Sequence, residues 1–180
     1  MSKTLGIGNM SNLEINEVQS SSVRHVARQF KWTVDTLYSQ SWSAEGPASL
    51  IVNGALSIEL YLKSFNAQMV FKGEYEIEPG VVGYEDVVTE VLSKGHQPSE
   101  LYRNLPKYTK DWLVHQFEKE HPGYDLGHWF SQFDGVFINW RYLYEGNVSR
   151  VPVTDLLDLI AFLERRSQEI EENNGAIPKR

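Results

Sequence analysis

The stretch FINWRYLYEG, residues 137–146, places Arg141 and Glu145 one helical turn apart among aromatic side chains. A guanidinium keeps its charge at physiological pH, so an arginine on a partly buried helical face needs a partner. Tyr144 falls on the same face of the predicted helix. Two interpretations remain open. The arginine either forms an ion pair that fixes helix packing, or it binds a phosphate or a developing negative charge.

The apolar stretch over residues 47–67 carries the polar side chains Asn53, Glu59 and Lys63. Glu59 precedes Lys63 by four residues, which is the favourable order for an ion pair within a helix. A helix that is apolar nearly all round is normally buried, so its polar side chains require partners. We therefore expect Glu59 or Asn53 to bind Arg141 across the packed helices.

A histidine precedes another predicted helix, in KGHQPSELYRNLP at residues 94–106. His96 follows Gly95, which is typical of a capping or turn histidine; a catalytic or phosphate-binding role is the alternative. If the protein is an enzyme, Arg141 and His96 are the candidate catalytic residues. The whole candidate polar cluster consists of Asn53, Glu59, Lys63, His96, Arg141, Tyr144 and Glu145.

Metal and cofactor chemistry have little support in the sequence. The chain contains no cysteine, which excludes disulfides, thiol catalysis and thiolate metal sites. Glu118 and His121 match half of a di-iron bundle motif, but no second Glu-x-x-His follows. GIGNMS at residues 6–11 is not a dinucleotide-binding loop, because its last position is serine. We expect no metal site and no cofactor.

Apolar periodicity predicts the helices that would position these residues. Helical spacing extends over residues 22–40, 47–67, 97–105, 108–120, about 125–145 and 151–172. Between the second and third of these, Phe71, Tyr75 and Ile77 alternate with charged residues, which is strand periodicity. Pro79-Gly80 is a turn signal. The return leg fits either a strand or a helix, and we favour the strand.

These elements predict an all-α fold. We expect an antiparallel up-down helical bundle of about five or six helices, with a small acidic β-hairpin-like insert around residues 69–91. The expected organisation is a flexible N-terminal arm over residues 1–20, a single helical domain over residues 21–175 and a tail over residues 176–180.

The charge of −7 argues against a general nucleic-acid binder, which would normally be basic. Much of the negative charge lies in the insert. The N-terminus lacks the layout of a signal peptide, and the longest apolar run is too short and too polar to span a bilayer. We therefore expect a cytoplasmic protein that does not bind membranes.

Three of these stretches together resemble the HEPN-domain family, which is widespread in bacteria. NGALSIELYLKSF at residues 53–65 is similar to the central-helix signature of that family, KGHQPSELYRNLP to its Gly-His stretch, and WRYLYEG at residues 140–146 to its later Arg-Tyr segment. The resemblance covers residues 22–165. It implies an up-down helical bundle that often forms homodimers, with residues 69–91 as an insertion.

The resemblance also implies a function. Many HEPN proteins are metal-independent ribonucleases of toxin–antitoxin or phage-defence systems, and their motif is an arginine followed after four to six residues by a histidine. Arg141 matches that arginine, but the positions of the histidine hold Gly146, Asn147 and Val148. We therefore expect a non-catalytic module that binds a protein partner or a nucleotide or RNA ligand.

Two alternatives follow from the same residues. The first is a ribonuclease with an altered site, in which His96 takes the place of the missing histidine beside Arg141. The second is a structural or adaptor bundle that binds a basic partner through its acidic insert.

Overall fold

The computed structural model describes residues 21–40, 47–142, 150–173 and 175–178. Within these residues, seven helices and two strands follow one another along the chain. The elements are α1 (Ser21–Ser39), α2 (Pro47–Ser64), β1 (Ala67–Glu78), β2 (Val81–Val91), α3 (Pro98–Arg103), α4 (Lys107–Glu120), α5 (Leu126–Ser131), α6 (Val136–Arg141) and α7 (Val153–Glu172). Among the described helices, none is both long enough and apolar enough to cross a membrane.

Helix α2 lies at the centre of the helical core and packs against α1, α3, α6 and α7. Ile58 and Leu62 of α2 are completely buried. Gly54 allows α7 to approach closely, because a Cβ atom at this position would lie 2.8 Å from Leu156 Cδ2. The apolar composition of α2 thus reflects contacts on most of its sides.

Strands β1 and β2 form a two-stranded antiparallel sheet that extends from the helical core. The register pairs Ala67 with Val91 at the base and shifts between Glu76 and Glu78 near the tip. At the base, Asn66 O accepts a hydrogen bond from Leu92 N at 2.9 Å. Side chains beyond the base are largely exposed on both strands.

The prediction of an all-α fold is wrong, because the described residues form a mixed α/β structure. The insert expected around residues 69–91 is a hairpin with strands of 12 and 11 residues. In β1, apolar and aromatic side chains alternate with charged ones, and this period of two does not suit a helix. The return leg is rich in valine and pairs with β1 from Val91 to Val81, which makes it a strand.

The prediction of a single helix over about 125–145 is also wrong within the described residues. Two six-residue helices, α5 and α6, replace it. The chain between them turns at Gly135, whose φ of 72° lies in the left-handed region that favours glycine. Residues 143–149, which include the predicted helix end, lie outside the described part of the chain. So does the predicted N-terminal arm, residues 1–20.

Candidate functional site

Glu59, Lys63 and His96 meet at the base of the hairpin. Glu59 Oε1 lies 2.6 Å from Lys63 Nζ and 2.9 Å from His96 Nδ1. The Glu59 side chain is only 6% exposed, whereas that of His96 is 59% exposed. A buried carboxylate therefore holds an imidazole that faces solvent.

The local fold brings His96 to Glu59. Asn66 Nδ2 donates a hydrogen bond to Ser93 Oγ at 2.5 Å and so ties the two ends of the hairpin together. The chain then turns at Gly95, with φ of 100°, and reaches His96 just before α3. This turn directs the imidazole back towards the centre of α2.

Helix α3 is anchored on its other side by the turn between α5 and α6. Asp134 accepts hydrogen bonds from Ser99 N at 3.0 Å and from Ser99 Oγ at 2.6 Å. Gln97 Oε1 accepts a hydrogen bond from Gly135 N at 2.5 Å. These contacts fix the chain on the C-terminal side of His96.

The contact with Glu59 orients the imidazole. A carboxylate oxygen accepts hydrogen bonds, so Nδ1 is the donor in this contact and Nε2 is the ring nitrogen that the contact does not use. The second carboxylate oxygen, Glu59 Oε2, is buried and has no hydrogen-bond partner among the described residues. Nε2 can make a hydrogen bond with a bound molecule.

Arg141 is exposed, and among the described residues it makes neither a hydrogen bond nor an ion pair with Glu59, Lys63 or His96. Its Nη2 donates a hydrogen bond to Tyr142 Oη at 2.5 Å. The guanidinium carbon lies 5.3 Å from the ring centre of Phe137 and 4.7 Å from that of Tyr142. The side chain is held by cation–π contacts on its own helix.

The predicted link from Arg141 to Glu59 or Asn53 is therefore wrong. Glu59 binds Lys63 and His96 instead, and Asn53 Nδ2 donates to the Ser49 carbonyl one turn earlier at 2.7 Å. The aromatic residues Phe137 and Trp140 bury part of α6, but the arginine at its C-terminal end reaches solvent.

The predicted cluster is thus only partly assembled. Glu59, Lys63 and His96 are together, whereas neither a hydrogen bond nor an ion pair joins His96 with Arg141 in the described part of the chain. Tyr144 and Glu145 lie outside the described residues. Across the same residues, no group of three or more His, Asp or Glu side chains is arranged to hold a metal ion.

A second polar cluster joins α1, α2 and α7 and was missed by the sequence analysis. Arg24, which is 3% exposed, donates from Nη1 to the Ser167 carbonyl at 3.0 Å, and Arg28 binds Glu171 at 2.5 Å. Arg24 Nε, Tyr61 Oη and Ser167 Oγ are buried without partners among the described residues. One signal could have revealed it, because Arg24 shares a helical face with Ala27 and Val34.

Burial changes the acidity of this second cluster. Desolvation lowers the pKa of Arg24 and raises the pKa of Tyr61, because burial disfavours the charged form of each group. Conversely, the hydrogen bond from Arg28 lowers the pKa of Glu171. The cluster joins α1 to α7 through Arg24 and Arg28, and some of its buried polar atoms have no hydrogen-bond partner among the described residues.

The hairpin presents a different kind of surface. Its exposed apolar side chains are large, with exposed fractions of 37–57%. They are Phe71, Tyr75, Ile77, Val81, Val82, Tyr84 and Val87. The hairpin also carries six carboxylates, Glu74, Glu76, Glu78, Glu85, Asp86 and Glu90, against the single cation Lys72. It therefore combines negative charge with exposed apolar area.

Comparisons with protein-family models, with curated proteins and with solved structures found no match to this chain.

Proposed function

We propose that this chain is a HEPN-like module without ribonuclease activity, and that its hairpin, residues 67–91, binds a basic protein partner in the cytoplasm. The observation that carries the proposal is the exposure of large apolar side chains along both strands, including Tyr75 at 49% and Ile77 at 57%. Contiguous exposed apolar area commonly marks an interaction site.

The physical chemistry of hairpins supports a partner. An isolated two-stranded hairpin is marginally stable in water, and a third strand or a packed helix normally supplies the missing stability. Here the sheet has two strands within the described residues, and their outer parts are exposed. A bound protein that covers the apolar side chains would stabilise the hairpin.

Charge favours a basic partner over a second copy of the chain. Two acidic hairpins would repel each other, whereas lysine or arginine on a partner would be attracted and would speed the encounter. The same negative charge is unfavourable for binding RNA. Protein binding is therefore better supported than RNA binding at this surface.

The absence of nuclease activity is supported by the placement of the two candidate catalytic side chains. The sequence lacks histidine at positions 146, 147 and 148. Arg141 stacks on Phe137 and Tyr142, and His96 binds Glu59, so each has a partner of its own. A nuclease would need both groups on one phosphate.

One observation favours a second candidate function. The imidazole of His96 is oriented by a carboxylate and its side chain is 59% exposed, which suits a general base. A metal-independent ribonuclease that uses His96 and Arg141 would lose cleavage in both His96→Ala and Arg141→Ala. We expect pure protein to leave RNA intact in the presence of EDTA, and cleavage lost in both folded variants would establish the second candidate instead.

Photo-crosslinking in cells tests the proposed function. A crosslinking amino acid replaces Tyr75 or Tyr84 in the hairpin, or Tyr124 as a control that is 61% exposed in a loop after α4. We expect both hairpin positions to capture the same basic protein, and Tyr124 not to capture it. Equal capture from all three positions would overturn the proposal.

Removal of the hairpin provides the matched control. Met69 and Thr89 are paired across the sheet, so an Asn-Gly turn can replace residues 70–88. We expect this variant to keep the helical circular-dichroism signal and to lose binding of the purified partner. Binding that persists in the folded variant would show that the hairpin is not the docking surface.

A further inference from the structure

In the outer half of the hairpin, strand β1 carries acidic and apolar side chains in alternation. Tyr75 and Ile77 both lie over Gly83 of β2, because a Cβ atom on Gly83 would be 2.7 Å from Tyr75 Cζ and 2.9 Å from Ile77 Cδ1. These two side chains therefore share one face of the sheet. Glu74 and Glu76 alternate with them and point to the opposite face.

The two carboxylates on this edge lack cations. Lys72 lies 3.9 Å from Glu90 and pairs across the sheet with Asp86. By contrast, neither Glu74 nor Glu76 forms an ion pair within the described part of the chain, and both are exposed. This half of β1 thus offers two negative charges that no side chain of the described residues neutralises.

Strand β2 does not offer an equivalent pattern. Its residues come in like pairs, with Val81 beside Val82, Glu85 beside Asp86 and Val87 beside Val88. Gly83 has no side chain to contact a neighbouring strand. The regular alternation of acidic and apolar residues is therefore a property of the β1 edge.

We propose that the partner binds by adding a strand along the edge of β1 that no other strand of the described residues occupies, through an extended segment in which basic residues alternate with apolar ones. Basic side chains would lie opposite Glu74 and Glu76 on one face. Apolar side chains would lie beside Tyr75 and Ile77 on the other. Main-chain hydrogen bonds supply affinity in this mode, and the alternating side chains supply selectivity.

This inference rests on the proposed function, and it goes further by naming the edge and the chemistry of the bound segment. Carboxylates on an edge strand can also serve to prevent pairing with other chains. That role would predict no binding of any extended peptide, so binding experiments separate it from strand addition.

The test uses the full-length protein and three capped peptides. The first alternates lysine with valine, the second alternates glutamate with valine, and the third is the lysine peptide with alternate backbone amides methylated. Nuclear magnetic resonance titration reports both affinity and the amides that shift. We expect the lysine peptide to bind and to shift the amides of residues 73–77 more than those of residues 81–88.

Backbone methylation separates strand pairing from contact through side chains. We expect the methylated peptide to bind at least about tenfold more weakly, because it cannot make the main-chain bonds. Equal affinity of the two lysine peptides would overturn strand addition, while the hairpin would remain a docking surface in the crosslinking experiment. Amide shifts confined to β2, or no binding of either lysine peptide, would also overturn it.

A charge reversal completes the design. In the double variant Glu74→Lys and Glu76→Lys, we expect about tenfold weaker binding of the lysine peptide and new binding of the glutamate peptide. Glu85→Lys with Asp86→Lys is the control, because it changes the net charge by the same amount but lies on β2. If the control and the double variant weaken binding equally, the effect is one of net charge and not of cross-strand pairing, and the inference fails.

Discussion

His96 and Glu59 join the segment after the hairpin to the centre of α2, with Nδ1 of the imidazole 2.9 Å from Oε1 of the carboxylate. The two residues are 37 positions apart in the sequence. The contact ties the return of the hairpin to a buried helix, so the position of the hairpin depends on the helical core.

The first prediction concerns this carboxylate. Glu59→Ala removes the partner of both Lys63 and His96, and we expect the free energy of unfolding to fall by about 2 kcal/mol. Urea denaturation measures the change. Lys107→Ala is the control, because it breaks a pair with the same 2.6 Å separation but at a lysine side chain that is 86% exposed. There we expect a loss below about 0.5 kcal/mol. Similar losses in the two variants would show that burial does not strengthen the Glu59 contacts.

The second prediction concerns the close approach of α2 and α7. Gly54→Ala places a Cβ atom 2.8 Å from Leu156 Cδ2, and we expect a loss of about 1–3 kcal/mol in urea denaturation. Leu156→Ala alone should also destabilise, because it leaves a cavity. In the double variant the new methyl group fills part of that cavity. The loss of stability in the double variant should therefore be smaller than the sum of the losses in the two single variants. Strict additivity would contradict the close contact.

The third prediction contrasts two buried arginines. Among the described residues, Arg24 makes a single hydrogen bond, to the Ser167 carbonyl. Arg166 binds Glu120, Glu169 and Gln116. A poorly compensated buried charge can be replaced by an apolar side chain at little cost. We expect Arg24→Met to change the free energy of unfolding by less than about 1 kcal/mol in either direction.

The matched variant Arg166→Met should be the more damaging of the two. It removes three polar contacts, and we expect a loss of roughly 2 kcal/mol in the same denaturation assay. A larger loss for Arg24→Met than for Arg166→Met would indicate that the Arg24 cluster is better satisfied than its geometry suggests.

The fourth prediction concerns pH. The hydrogen bond from Arg28 holds the pKa of Glu171 below its ordinary value of 4.5. A carboxylate whose pKa is lower in the folded state stabilises the protein above its unfolded pKa, and this contribution is lost as the pH falls through the folded pKa. We expect Tm to fall between about pH 5 and pH 3 less steeply in Glu171→Gln than in the original protein.

A neighbouring glutamate provides the control for this experiment. Glu172 is exposed and forms no ion pair within the described part of the chain. In Glu172→Gln, Tm measured by differential scanning calorimetry should therefore fall with decreasing pH as steeply as in the original protein. If Tm falls with pH equally steeply in Glu171→Gln and in the original protein, the contact with Arg28 makes no measurable contribution to stability.

Local patterns accounted for several elements. The periodicity of α1, α2, α4 and α7 was evident because apolar residues recur within a single helix. The hairpin was also evident, from the alternation before Pro79-Gly80. The pair of Glu59 and Lys63 was predictable for the same reason, since four residues on a helix are one turn apart. The short helices α5 and α6 were not separated, because Gly135 interrupts a pattern that otherwise continues.

The fold class was misjudged for a physical reason. The alternating residues of the insert showed a hairpin, but not that it would form long strands that extend from the bundle. Strand length depends on pairing between residues such as Ala67 and Val91, which are far apart in the sequence.

The sequence by itself determined the positions of the longer helices and of the hairpin turn, because these patterns depend on side chains a few residues apart. Only the tertiary structure decided which polar groups meet. It placed His96 on Glu59, left Arg141 in solvent on its own aromatic neighbours, and buried Arg24 against a carbonyl 143 residues away. Such partnerships depend on the distances and angles at which helices cross, and these distances are set by packing across the core.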